Sequence, residues 1–350
     1  MAQARRINAI IKYNNKDIST DINPYIKSIS YRDVMSGQAD DLQLTLEDRQ
    51  GLWQSAWFPD KGATLDVSLI TSGWKSAEAL PQTLKLGTFE LDEIGSSGYP
   101  SEVQLKAVSV PFNNTLRGEE HTRSWEKAEL KTIANDIASA SKLDLFFDTD
   151  YNPTIERAEQ TEQSDLSFLL DLCGDYGLAL KISLGQLIIF DELKYETAEP
   201  LLTIVKPGTI YIPADNMIYL QAVTAYNLTT KLRDIYAACH VSYQQGKNKA
   251  VIEATFMVPG KTGKTLQVKE QVENVADAER LAKKRLREKN RDEVTGSINL
   301  PGSFYLVAGI TINLLGFGSY DGKYIITEAQ HDAGNGYTTS INIRRCLNGY

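Results

Sequence analysis

The sequence predicts a mainly β protein with an α+β insert: two small antiparallel β-barrel domains separated by a small α+β module. Three observations predict it. Apolar and polar residues alternate with period two through the first hundred or so residues; a 3.6-residue period takes over from about 116 to 200; alternation returns beyond 200. At 350 residues the chain exceeds the roughly 250–300 residues at which a single core stops growing. We therefore expect a first β-barrel domain over 1–115, an acidic α+β module over 116–200 and a second β-barrel domain over 201–350.

In the first region, Leu42-Gln-Leu-Thr-Leu-Glu47 and Thr64-Leu-Asp-Val-Ser-Leu-Ile70 alternate, so each packs one face and wets the other. Thr88–Ile94 and Glu102–Val108 flank Gly-Ser-Ser-Gly-Tyr-Pro, which predicts a hairpin. Between the first two strands, a loop carries Trp53, Trp57, Phe58 and Pro59. Large aromatics there either close one end of a barrel or anchor an interface, and both readings stand.

The character changes at Phe112–Gly118. After Ser124, taken as an N-cap, Leu130, Ile133, Ala134, Ile137 and Ala138 form one helical stripe. A second helix opens at Ser164-Asp165 with Leu166, Leu169, Leu170 and Cys173 on one face, and Gly174 and Gly177 end it. Leu178–Ser183 and Gln186–Phe190 form a hairpin around Leu184-Gly185.

From about Pro200, strands are expected at Met217–Leu228, Ile235–Tyr243, Val251–Val258, Val294–Leu300, Ile310–Leu314, Tyr324–Glu328 and Tyr337–Ile343. A basic helix near 275–291 interrupts them. It carries Val275, Ala278, Leu281, Ala282 and Leu286 on one face and Arg280, Lys283, Lys284, Arg287 and Arg291 on the others.

Charge and composition exclude several function classes. The net charge is 37 − 45 = −8, with 42% hydrophobic and 23% charged residues, which excludes wholesale disorder, collagen-like repeats and a disulfide scaffold. No apolar run approaches the ~20 residues of a membrane span, so no membrane insertion is expected. Ile7–Lys12 is too short and polar for a signal-peptide core, which implies synthesis and folding in a cytosol. Cys173, Cys239 and Cys346 are widely spaced, and His121, His240 and His331 are isolated, so neither a disulfide framework nor a metal or other cofactor is expected. Residues 1–110 carry 11 basic and 14 acidic groups, 111–200 carry 8 and 18, and 201–350 carry 18 and 13. Such segregation means either ordinary variation among surfaces or complementary faces, including faces on copies in an oligomer.

No motif supplies catalysis. Gly263-Lys264-Thr265 lacks the phosphate-loop glycine five positions earlier, where Val258 stands, and reads as a solvated turn. Gly95-Ser-Ser-Gly98 is one residue short of a nucleophile elbow and sits in a hairpin turn. The basic helix has no interleaved aromatic platform for nucleic acid, so a solvated face or an acidic neighbour is the better reading. Arg280, Lys283, Lys284 and Arg287 join Trp53, Trp57 and Phe58 as interface candidates.

Three stretches in register resemble the phage late control gene D protein family. Asp41-Leu-Gln-Leu-Thr-Leu-Glu-Asp-Arg49 followed by Trp57-Phe-Pro-Asp-Lys-Gly62 is similar to that family's first barrel. Leu116-Arg117, Thr122-Arg-Ser-Trp125, Leu130–Ala138 and Glu159–Asp165 running into Phe168-Leu-Leu170 resemble its inter-barrel module, except that Gln163 stands where an acidic residue is usual. Gly322–His331 with Gly336-Tyr-Thr-Thr339 is similar to its last hairpin.

The resemblance implies a structural, non-enzymatic baseplate hub of a contractile phage tail, a Mu-like prophage or a tailocin, similar to the T-even phage hub. It implies a homotrimer whose paired barrels form a pseudo-sixfold ring. That ring would join a hexameric tail tube or tube-initiator protein to a trimeric central spike, contact other baseplate proteins, and pass tape measure protein and DNA in transit. Part of the acidic surface would line the channel and repel phosphates. The implied location is the virion or tailocin particle. His331, heading the last hairpin, is expected to be structural. Two other classes stay open: a LysM-like peptidoglycan-binding tail component, and a hub-associated cell-wall hydrolase, for which no spare stretch of domain size remains.

Overall fold

The computed structural model describes residues 6–60, 62–73, 80–109, 115–210, 218–244 and 250–350. Lys61, Phe112 to Asn114 and Met217, which carried expectations above, lie outside the described residues. The protein is mainly β, with several sheets and a few helices, as the alternation implied. It divides into two compact units, neither continuous in sequence. One comprises residues 1–195, 299–309 and 327–341, and the other 196–298, 310–326 and 342–350.

In the first unit, the strand Ile26–Val34 pairs antiparallel with Asp41–Glu47 on one side and with the Glu328–Ala333 part of Gly322–Gly334 on the other. The ladder continues through Glu102–Val108, Gln82–Ser97, Thr64–Ser72 and Arg6–Tyr13, antiparallel throughout. Alternation sets the core. Leu42, Leu44 and Leu46 are buried from one strand, and Leu65, Val67 and Leu69 from another, while their neighbours stay partly exposed. Each such side chain contributes about 1.5–3 kcal/mol relative to leaving it in water. The expected hairpin joins Gln82–Ser97 to Glu102–Val108, but its turn is shorter than Gly95–Pro100. Gly95, Ser96 and Ser97 pair with Gln104, Val103 and Glu102, because cross-strand pairing carries the ladder on and the chain reverses only at residues 98–101.

The α+β part of this unit follows the expected helical stripe. Leu130–Ala140 buries Leu130, Ile133, Ala134, Ile137 and Ala138. Ser124, however, is not its N-cap. It lies within the strand Glu120–Glu129, opposite Glu159 of Thr154–Ser164, and the helix starts after Glu129. The cause is cross-strand pairing of residues 120–129 with residues 154–164, a long-range partnership that a local capping pattern cannot reveal. The second helix, Asp165–Asp175, is capped by Ser164, whose hydroxyl accepts from the Ser167 N–H at 3.3 Å. Gly174 lies inside its last turn, and the chain turns at Gly177, φ +73°. Ala179–Ser183 and Gln186–Phe190 form the expected hairpin, and Asp144–Asp148 adds to Gln186–Phe190 in parallel. Both turn residues, Leu184 and Gly185, have positive φ (53° and 76°), the geometry of a type I′ turn.

In the second unit, a three-stranded sheet has Tyr236–Gln244 at its centre, Val251–Met257 antiparallel on one side and Lys264–Val268 parallel on the other. The helix Val275–Asn290 packs on it and buries Ala278, Ala282 and Leu286 with Cys239, Val241 and Tyr350. Val275, expected on the buried face, is 54% exposed: it is the first helical residue, past the edge of the sheet contact. Residues 217–228 do not form one strand. Ile218–Leu220 and Ala225–Thr230 are separate, the former beside Leu202–Val205 and the latter beside Val294–Pro301. Leu202–Val205 also pairs in parallel with Thr311–Leu315, so this region mixes strand directions. Alternation reports which face is buried and is silent on strand direction.

Candidate interaction site

The aromatic loop is held by its own backbone. Gly51 N–H donates to Asp48 C=O at 3.1 Å, Ser55 and Trp57 N–H donate to Leu52 C=O at 3.1 and 2.8 Å, and Phe58 N–H donates to Ser55 C=O at 3.2 Å. The Asp48 carboxylate accepts from Trp53 N–H at 3.1 Å, and the Tyr13 hydroxyl accepts from Asp60 N–H at 2.8 Å. These tight turns fix three aromatics at different depths. Trp53 is 7% exposed, Trp57 39% and Phe58 57%. Trp57 meets Trp53 edge-on at 5.5 Å and Tyr25 at 5.4 Å, both favoured quadrupole arrangements.

The loop thus divides between the two sequence readings: Trp53 takes the packing role, and the interface role remains a proposal for Trp57 and Phe58. Trp53 packs in the core, whereas Trp57 and Phe58 stand at the rim of a cleft of about 430 Å³. The cleft reaches down to Leu65, Leu91 and Leu105 of the sheet. Asp21 and Asp60 lie on its border, and neither pairs with a cation among the described residues. The Trp53 indole N–H, which is buried, has no acceptor among the described residues.

The basic helix is a different kind of surface. Asn274 caps it by accepting from Asp277 N–H at 2.9 Å. Most of its cations are answered from within the unit. Arg280 lies 3.4 Å from Asp277, Lys284 lies 3.7 Å from Glu288, and Arg285 holds Glu270 at 2.7 Å and Glu288 at 2.9 Å. Arg287 turns inward to Glu196 at 2.6 Å, and Lys283 lies over the Phe256 ring at 5.8 Å. Of the four basic candidates, Arg280 and Lys283 are exposed.

Two buried ionic knots escaped the sequence reading. In the first unit, the Lys181 ammonium bonds Asp33 and lies 3.3 Å from Asp40. Asp40 also accepts from Val34 N–H at 2.9 Å and Ser183 O–H at 3.0 Å, and Asp33 accepts from Ala308 N–H at 2.8 Å. Burial raises the Asp40 pKa to about 6 against the pull of Lys181. Burial alone would lower the Lys181 pKa, but Asp33 and Asp40 outweigh it and the net direction is up. In the second unit, Glu196 sits between Arg287 and Arg344, at 2.6 and 2.5 Å, and accepts from Leu347 N–H at 3.2 Å. Partners 91 to 151 residues apart leave no local signal.

His331 is fully buried. Its Nδ1 lies 2.7 Å from the Tyr337 hydroxyl, and it stacks on Tyr31 at 6.0 Å. Burial lowers its pKa to about 4, which keeps it neutral at pH 7. Gly302 allows Tyr337 this position: a Cβ there would meet the ring at 1.9 Å. Among the described residues, no group of three or more His, Cys, Asp or Glu could hold a metal, and no helix is long and apolar enough to cross a membrane.

Comparison with known proteins gives these surfaces a context. No family model matches the sequence. Two curated relatives, from Escherichia phages 186 and P2, are each described as "Probable baseplate hub protein". They are 26% and 27% identical over 180 residues, which is 51% of this chain and only 43% and 44% of theirs. Among solved structures, the 43 kDa tail protein of prophage MuSo2 from Shewanella oneidensis superposes with a TM-score of 0.72 at 11% identity, over 97% of this chain and 98% of that one. A tail protein from Neisseria meningitidis MC58 gives 0.71 at 11% identity, over 97% and 96%. An Escherichia coli type VI secretion component, described as structurally similar to the T4 tail proteins gp27 and gp5, gives 0.58 at 12% identity, over 99% and 78%. The fold is thus that of phage tail proteins, and the resemblance to hub proteins read from the sequence motifs is borne out.

Proposed function

We propose that this chain is a structural baseplate hub protein of a contractile phage tail, a tailocin or a related injection device. The observation that carries the proposal is the fold match over nearly the full length of both chains to two tail proteins, joined to sequence relatedness with hub proteins. In this reading the three-part division at 115/116 and 200/201 makes two tube-like barrels around an acidic module. Three copies form a pseudo-sixfold ring between a hexameric tube and a trimeric spike, with tape measure protein and DNA passing through. The chain is made in the bacterial cytoplasm and ends in the particle.

The role is one of shape and adhesion, without catalysis. Closed rings follow when one surface of a subunit meets a different surface of the next and the rotation closes. Light scattering on the purified chain tests the proposal: a mass near 3 × 39.0 = 117 kDa is expected, and a chain that stays at 39.0 kDa with and without its candidate spike overturns it. A peptidoglycan pull-down and a zymogram, both expected to be negative, separate it from a glycan-binding or hydrolytic tail component.

A further inference from the structure

The aromatic cleft has the features of a socket. Its floor is apolar, its rim is aromatic, and two carboxylates without cationic partners among the described residues border it. The buried Trp53 N–H beside it lacks an acceptor among the described residues. The occupant that fits is an apolar side chain flanked by cations. Burying it removes apolar area from water, and the flanking charges meet Asp21 and Asp60 at the rim.

This chain carries such a segment. Among the exposed large hydrophobic residues that the structure describes, Leu232, 90% exposed, is flanked on both sides by basic residues, Lys231 and Arg233. The others have no such pair: Tyr99 sits between Gly98 and Pro100, Leu184 between Ser183 and Gly185, and Met257 between Phe256 and Val258. Asp234 follows with φ +60°, turning the chain sharply and presenting Leu232 at a bend. Lys231, Arg233 and Asp234 are all exposed, so the segment keeps a net positive charge. The cleft volume of about 430 Å³ accommodates a leucine together with the aliphatic stem of a flanking Lys or Arg.

We propose that Lys231-Leu232-Arg233 of one copy docks in the aromatic cleft of a second copy, with Leu232 between Trp57 and Phe58 and the flanking cations on Asp21 and Asp60. The contact is heterologous: socket and plug are different surfaces of the same chain, so repetition closes a ring where the rotation between copies closes. It rests on the ring reading above and names the surfaces that join the copies.

Three sets of variants test it by light scattering and by non-reducing electrophoresis. Leu232→Glu, at an exposed position, leaves the circular dichroism unchanged and weakens association at least tenfold, giving a mass near 39.0 kDa where the wild type gives a trimer. Phe58→Cys with Leu232→Cys, oxidised, gives a ladder ending at the trimer, and neither single variant does. Asp21→Lys with Asp60→Lys weakens association, and adding Lys231→Glu with Arg233→Glu restores it. A wild-type trimer that Leu232→Glu leaves intact, or a cysteine pair that closes within one chain, overturns the docking while leaving the hub reading standing. A wild type that is monomeric in every condition overturns both.

Discussion

The two buried ionic knots are mirror images in charge. In the first unit two carboxylates, Asp33 and Asp40, share one ammonium from Lys181; in the second, two guanidiniums, Arg287 and Arg344, share the Glu196 carboxylate. One carries a net −1 and the other a net +1. Both tie together segments far apart in the chain, and both place charge where water is excluded. Their difference lies in how each can shed its excess. A carboxylate can take up a proton near neutral pH, and Asp40 is poised to do so at about 6; a guanidinium has no such outlet. Burial of like charge is tolerated in both, but only the first knot can relax by acidification.

The strongest test of that contrast is Lys181→Met, expected to cost about 3–5 kcal/mol at pH 7.5 because two carboxylates are left facing each other without water. The sign with pH follows from Asp40. Its folded pKa lies above its unfolded value, so the folded state binds the proton more tightly and stability rises as pH falls from about 6 toward about 4. Urea titrations should therefore show the Lys181→Met cost shrinking at pH 5. Glu196→Gln, next in size at about 3 kcal/mol, should show no such shrinkage, since no acid remains between the two guanidiniums. Equal behaviour of the two variants at pH 5 would mean that the two knots do not differ in how they shed charge.

His331 adds an opposing pH dependence in the first unit. Its folded pKa of about 4 lies below the ordinary histidine value near 6.5, so the stability it permits at pH 7 is lost as pH falls through that window, by up to about 3 kcal/mol. Below about 6 the gain from Asp40 partly offsets this loss. His331→Gln should flatten the decline between pH 6.5 and 5 in thermal melts; an unchanged slope would mean that the imidazole is already charged. The smallest effect is at the exposed end of the basic helix. Arg280→Ala and Lys283→Ala should each shift stability by less than about 0.5 kcal/mol, in contrast to Arg287, whose side chain completes the second knot.

What sequence could and could not disclose follows from the range of each signal. The stripe Leu130, Ile133, Ala134, Ile137 and Ala138, and the hairpin around Leu184-Gly185, depend on residues a few positions apart, and both are legible in the sequence. Ser124 was misplaced because its partner Glu159 is 35 residues away across a ladder. The inward turn of Arg287 was invisible for the same reason: on a helical wheel it belongs to the basic face, and only Glu196, 91 residues upstream, draws it in. The aromatic loop was singled out for its residue types, but its division into a buried Trp53 and rim residues Trp57 and Phe58 depends on the fold of strands around it. The motif resemblance succeeded where local reading did not, because order along a chain survives when pairing cannot be seen.

The discontinuity of the first unit also shapes how the chain is born. That unit needs residues 1–195, but it also needs 299–309 and 327–341. From Tyr195 to Ile341 the ribosome must add 341 − 195 = 146 residues, about 7–30 s at roughly 5–20 residues per second. Through that interval, Ile26–Val34 has emerged but the Glu328–Ala333 stretch that pairs with it has not. A naked strand edge invites pairing with neighbouring nascent chains. Lys27, Arg32 and Asp33 on that strand place charge along the waiting edge, the kind of residue that disfavours edge-to-edge pairing before residues 328–333 arrive.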